Sequence, residues 1–136
     1  ADINHRLFDS KSAGQLAAEG LTARILRTPL PHVSGVCISR AAREALGCPL
    51  SDFETSIDVV RSLAGTEIAY VIKETDDARF RISLRSTEAD VGAVAAALGG
   101  GGHVRAAGCT VTASDIEAAE DKLIEAIRSV NLPKET

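Results

Sequence analysis

Methionine and tryptophan are absent from the 136 residues, and there are only one tyrosine and three phenylalanines. A core must therefore be built from Ala, Val, Ile and Leu. So few rings also argue against a long track on which successive bases of a single strand could stack. The lack of methionine, with alanine at position 1, gives the expectation that the chain is a segment of a longer protein. No apolar run has membrane length, and no signal-peptide or lipidation pattern is present, so a cytoplasmic location is expected. The three cysteines, Cys37, Cys48 and Cys109, form no C-x-x-C and read as small hydrophobes in a reducing compartment. Metal-ligand patterns are missing too. His5, His32 and His103 stand in no H-x-H or H-E-x-x-H arrangement, and the adjacent Asp76 and Asp77 fall in an expected turn. Neither a metal centre nor a base–nucleophile pair is visible.

What is present suits one soluble domain. The length is that of an ordinary domain with a real core. Apolar residues make up 45% and charged residues 25%, with a formal net charge of −4. A protein that coats long duplex DNA is usually basic, so a nucleic-acid role requires a local basic site and a short ligand.

Hydrophobic periodicity gives alternating helices and strands. Residues 12–27 read as a helix opened by a capping box, Ser12 with Gln15. The stretch 28–32, TPLPH, breaks it and suits a linker. A strand at 33–39 precedes a short helix closed by Gly47. A second capping box, Ser51 with Glu54, opens an expected helix carrying Phe53, Ile57, Val60 and Ala64. The run 66–74 suits a central strand covered on both faces, and 79–86 pairs with it as a hairpin. Asp90 caps a helix with Val91, Val94, Ala95 and Leu98 on one face. A short strand at 109–112 follows, and a third capping box, Ser114 with Glu117, starts the last helix. The fold class is α/β or mixed α+β: a single domain with a mixed sheet of about four to five strands flanked by helices.

Two stretches carry chemistry. In the strand RFRISLRS, period-two geometry sends Phe80, Ile82 and Leu84 to one face and Arg79, Arg81, Ser83 and Arg85 to the other. Three arginines on one face concentrate planar forks that match phosphate oxygens. The second stretch, GGGGHVRAAG at 99–108, follows a helix and precedes a strand. It is neither G-x-G-x-x-G nor a Walker loop. Bare backbone at Gly99, Gly100, Gly101 and Gly102 can approach an anion closely through its N–H groups. If His103 starts a helical turn, further N–H groups and the imidazole join them. Ala106 and Ala107 suit close packing of that turn.

These residues resemble a known family. GGGGHVRAAG, with SLRS upstream, is similar to the DHH-associated substrate-binding domain of DHH-type phosphoesterases, the group of RecJ-like and nano-RNase enzymes. INHRLFD at 3–9, DFETSIDVVRSLAG at 52–65 and VIKE at 71–74 follow in the family's order. The resemblance is nearest to bacterial nano-RNases. It implies a division at about residue 28: residues 1–28 lead from an N-terminal DHH catalytic domain, and residues 29–136 form the substrate-binding domain. The catalytic domain would hold two metal ions, usually manganese. This chain would bind a short oligoribonucleotide, 3′-phosphoadenosine 5′-phosphate or a linear or cyclic dinucleotide, and would be inactive alone. Gly100, Gly101, Gly102 and His103 would face the scissile phosphate, and Arg85 would hold a base or phosphate at the other end. Gly99, Ser83, Ser86 and Arg105 complete the expected substrate-binding set, and no catalytic or metal-binding residue is assigned to this chain. Many relatives carry Asn where this chain has Asp58. An acid there would repel phosphate or pair with Arg61.

Two alternatives belong to other classes. One is a tRNA-binding or oligomerisation module like the domain that closes alanyl-tRNA synthetases; the net negative charge and SLRS weigh against it. The other is the corresponding domain of a RecJ-like single-strand exonuclease, which the scarcity of rings disfavours. No membrane partner is expected, and pairing with a second copy stays open.

Overall fold

The computed structural model describes residues 10–130. The segment 3–9, His5 and the PKET tail lie outside them. The elements run α1 (Ala13–Ile25), β1 (Arg27–Leu30), β2 (Val33–Ile38), α2 (Arg40–Leu46), a 3-10 turn (Leu50–Phe53) and α3 (Ser56–Arg61). β3 (Ile68–Glu74), β4 (Arg79–Ser86), α4 (Val91–Ala97), β5 (Gly101–Gly102), β6 (Ala106–Thr112) and α5 (Ile116–Val130) complete the chain. One six-stranded sheet has the order β1-β2-β3-β4-β6-β5. β2 and β3 are parallel, joined through α2 and α3, and the other pairs are antiparallel. The fold is the expected mixed α+β class, with more strands than four to five.

The additional strands are those that sequence pattern hides. β1 runs through the expected linker, and Pro29 is tolerated because β1 is an edge. β5 is two glycines with no side-chain pattern at all. The capping box of Ser12 and Gln15 forms as expected. The other two do not. Ser51 lies inside the 3-10 turn that starts after Pro49, so the helix begins only at Ser56 and Ala64 is left exposed. At the last helix Asp115 rather than Ser114 caps, accepting from the Ala118 N–H at 2.8 Å.

Cross-strand partners share a face, and the two faces are covered unequally. On one side α4 and α5 lie over the sheet, and Tyr70, Ile72, Ile82, Leu84, Leu123 and Ile127 are among its buried residues. Here the Tyr70 ring lies on bare backbone, since a Cβ at Gly35 would be 2.4 Å from its ring carbons. On the other side α1 and α3 bury Ala18, Val36, Ile38, Phe53, Val60, Ala69 and Val71, all on helices or turns and on β2 and β3. No residue of β4, β5 or β6 joins that second cluster. Among the described residues nothing therefore packs over that half of the face.

Candidate ligand-binding face

The open half-face takes its chemistry from alternation along β4. Arg81, Ser83 and Arg85 point away from the buried Phe80, Ile82 and Leu84. Each is matched on β6: Arg81 with Thr110, Ser83 with Gly108, and Arg85 with Ala106. Gly108 in turn pairs with Gly101 on β5. A shallow hollow of about 300 Å³ is lined here by Arg81, Ser83, Gly108 and Thr110. Successive rows along β4 are about 7 Å apart, the rise of two residues.

The four glycines have different reasons to be bare. Gly99 has φ 86°, in the left-handed region. A Cβ on Gly100 would stand 2.2 Å from the Gly108 carbonyl oxygen. Gly102 has φ 141°, and its Cβ would meet the Ala107 Cα at 2.6 Å. Gly101 has neither constraint, because a Cβ there would meet nothing within 4 Å. Nothing inside the described protein requires glycine at 101, which pairs with Gly108 in the same cross-strand row as Ser83.

Backbone hydrogen bonding revises the expected anion nest. The Gly99 and Gly100 N–H groups donate to Ala96 and Ala95 and close the C-terminus of α4. That end carries the negative pole of the helix. No helical turn begins at His103. The His103 N–H donates to the Ala106 carbonyl at 2.8 Å and Ala106 returns a bond at 3.3 Å, making a tight β5–β6 hairpin. The residues RAAG are therefore largely strand, and β6 starts at Ala106 rather than at Cys109. His103–Ala106 is a hydrogen-bonded pair, so alternation makes Gly102–Ala107 a non-bonded one. The Gly102 N–H consequently points outward along the free edge of the sheet. His103, Val104 and Arg105 are exposed at the hairpin tip, Val104 at 52%.

Arg85 lies at the end of β4 beside a cavity of about 260 Å³ lined by Asp58, Arg61, Glu67, Ala69 and Ser86, among others. Its Nη1 donates to the Leu84 carbonyl at 2.9 Å. Arg61 and Asp58 pair at 3.5 Å, the ion pair open to Asp58 at this spacing. Ser86 belongs to the opposite parity from Arg85. Its hydroxyl donates to the Ala89 carbonyl at 2.5 Å, and its N–H donates to the Arg105 carbonyl at 3.1 Å. Glu67 anchors the same corner: its carboxylate accepts from the N–H groups of Thr87, Glu88 and Ala89 at 3.2, 2.8 and 2.9 Å and from the Thr87 hydroxyl. Desolvation raises its pKa, but these hydrogen bonds outweigh it and bring the carboxyl to about 2. The Ser86 N–H ties the end of β4 to the hairpin tip, and Glu67 holds residues 87–89 beside it.

This face concentrates unpaired cations. Among the described residues Arg81, Arg85 and Arg105, like Arg24 and Arg128 on helices elsewhere, form no ion pair, whereas Arg27, Arg40, Arg43, Arg61 and Arg79 each have an acidic partner. A wider hollow of about 820 Å³ on the side of α5 is lined by Glu117, Glu120 and Asp121 against Arg27, the wrong balance for an anion. The structure thus brings together Ser83, Arg85, Gly101 and Gly102 on or beside the open half-face, with His103 and Arg105 at its rim. Gly99 and Gly100 serve backbone geometry. Sequence reasoning put Arg81 on this face with Ser83 and Arg85 but left it, with Gly108 and Thr110, out of the expected substrate-binding set. Nothing local marks Glu67. His32 sits in the β1–β2 turn, with its Nδ1 2.9 Å from the Gly65 carbonyl oxygen. Among the described residues no group of three or more His, Cys, Asp or Glu converges as a cation site. No helix among them is long and apolar enough to cross a membrane.

A family model described as the DHHA1 domain matches residues 42–129, most of the chain. This chain belongs to the DHHA1 family. The match takes in β4, the glycine run and the hairpin. The DHHA1 chain is 29% identical over 110 residues to the bifunctional oligoribonuclease and PAP phosphatase NrnA of Thermus thermophilus, an alignment covering 79% of this chain and 33% of that protein. It spans about a third of the length of that curated relative. An exopolyphosphatase-related protein from Bacteroides fragilis shares the fold with a TM-score of 0.81 at 19% identity, over 94% of this chain and 38% of the other. A pGpG-specific phosphodiesterase, PggH of Vibrio cholerae, superposes with a TM-score of 0.57 at 13% identity, over 87% and 40%.

Proposed function

We propose that this DHHA1 chain holds a short nucleotide for a phosphoesterase whose metal-dependent chemistry is done by residues outside those described here. The observation that carries the reading is Gly101. It is bare without an internal reason, and it pairs with Gly108, which lines a hollow with Ser83 and the unpaired Arg81. A phosphate seated there reaches the Ser83 hydroxyl and the Arg81 fork, with no side chain at Gly108 or Gly101 in the way. Arg85 holds a second part of the ligand about 7 Å further along β4, and His103 and Arg105 lie at the rim. The substrate class is a dinucleotide or short oligoribonucleotide, in keeping with the oligoribonuclease to which the chain is similar. A DHH domain of the same protein, carrying two metal ions, usually manganese in this family, would complete the enzyme and attack the phosphate presented to it. Among the described residues no third layer covers the open face, which leaves room for such a partner.

Affinity tests the reading. A 5′-phosphorylated dinucleotide, titrated calorimetrically into the metal-free chain, should bind measurably, and Arg85→Ala and His103→Ala should each weaken it about tenfold, the loss of one charge-assisted contact. Unchanged affinity in both variants, or preference for a folded tRNA over the dinucleotide, would overturn it.

A further inference from the structure

The cavity beside Arg85 is built differently from the phosphate hollow. It carries two cations, Arg61 and Arg85, against two carboxylates, Asp58 and Glu67. A near-neutral site does not suit a dianionic phosphate. It suits a polar ligand part without formal charge. The two acids are not equivalent. Glu67 is already occupied by three N–H groups and a hydroxyl. Asp58 has only Arg61, at 3.5 Å, and its side chain is 66% exposed. Its carboxylate keeps lone pairs for a ligand.

An ionised carboxylate accepts only, and it is best matched by two adjacent donors. Guanine is the one common base whose pairing edge offers neighbouring donors, N1–H and the N2 amine. Adenine and cytosine place a donor beside an acceptor, and uracil sets one donor between two acceptors. A terminal ribose diol also offers two donors, but in a dinucleotide only the last sugar has one free. The cavity volume of about 260 Å³ admits a purine.

We propose that Asp58 selects guanine in the cavity beside Arg85, so that guanine-bearing dinucleotides are the preferred ligands. This rests on the nucleotide-binding reading above. The wild-type chain and Asp58→Asn are each titrated with 5′-pGpG, 5′-pIpI and 5′-pApA at one salt concentration without metal. Inosine keeps N1–H and lacks the N2 amine. The wild type should bind pGpG about tenfold tighter than pApA, with pIpI between them, the discrimination of a good bidentate pair. Asp58→Asn should bring pGpG down to the level of pApA and change pApA less than about twofold. Asp58 is exposed on a helix surface, and an unchanged amide spectrum away from residues 54–62 verifies that the variant folds. Equal wild-type affinity for all three ligands overturns the proposal and leaves nucleotide binding standing. A uniform loss across the three in Asp58→Asn overturns it in favour of the ribose. Binding of none overturns both.

Discussion

Replacing each glycine of the run by alanine separates structural need from ligand need. At Gly100 the new methyl would lie 2.2 Å from the Gly108 carbonyl oxygen and 2.5 Å from the Cys109 Cβ. Both neighbours belong to a paired strand, so relief requires β6 to shift. Overpacking of this kind costs about 1–3 kcal/mol. At Gly102 a clash of 2.6 Å with the Ala107 Cα adds to strain at φ 141°. Left-handed strain alone costs about 1–2 kcal/mol, so the sum is about 2–5 kcal/mol. At Gly101 no atom lies within 4 Å of the added Cβ and φ is not positive. That change should be neutral or stabilise by about 0.5–1 kcal/mol, through reduced freedom of the unfolded chain. Urea unfolding of the three variants therefore gives Gly101→Ala at or above wild type and the other two well below it. Dinucleotide binding should invert the usual link between stability and function: the stable Gly101→Ala should lose affinity about tenfold or more, as a contact is lost. If Gly101→Ala binds as tightly as wild type, the bare residue does not serve a ligand and the argument from it fails.

Other expectations follow from the same contacts. Tyr70→Phe removes the buried hydroxyl that donates to Glu120 at 2.5 Å, leaving the carboxylate with Arg27 as its remaining strong partner. Thermal unfolding should show a loss of about 1–3 kcal/mol, and an unchanged midpoint would refute the bond. Glu67 has a folded-state pKa depressed to about 2, so its contribution is complete above the ordinary carboxyl value of 4.5 and disappears as pH falls through 2. Unfolding midpoints between pH 6 and 2 should fall less steeply in Glu67→Gln than in wild type; parallel curves would contradict this. Gly35→Ala would drive a methyl into the Tyr70 ring at 2.4 Å and should destabilise by about 1–3 kcal/mol in urea, with wild-type stability as the refuting result.

Legibility of the sequence followed how local each signal is. The Ser12 cap, the Gly47 stop and the alternation of β4 depend on neighbours within a few residues, and all were readable. The Ser51 box failed because Pro49 starts a tighter turn first, and Ser114 lost to an adjacent acid at 115. β1 was masked by Pro29, and β5 has no side chains to alternate. The glycine run was conspicuous, but its division of labour was not. That Gly100 is held by Gly108 while Gly101 is held by nothing depends on strand pairing. Likewise Ser83 and Arg85 followed from period two, whereas Glu67 reaches its loop across 20 residues or more.

The central claim is that a nucleotide lies on the open half of the sheet. It is tested most directly by amide shifts of the ¹⁵N-labelled chain titrated with a 5′-phosphorylated dinucleotide in the absence of metal. The account predicts shifts concentrated at residues 81–86 and 99–110, with little change along α5 on the opposite face. Shifts centred on α5 and β1, or none at millimolar ligand, would contradict it.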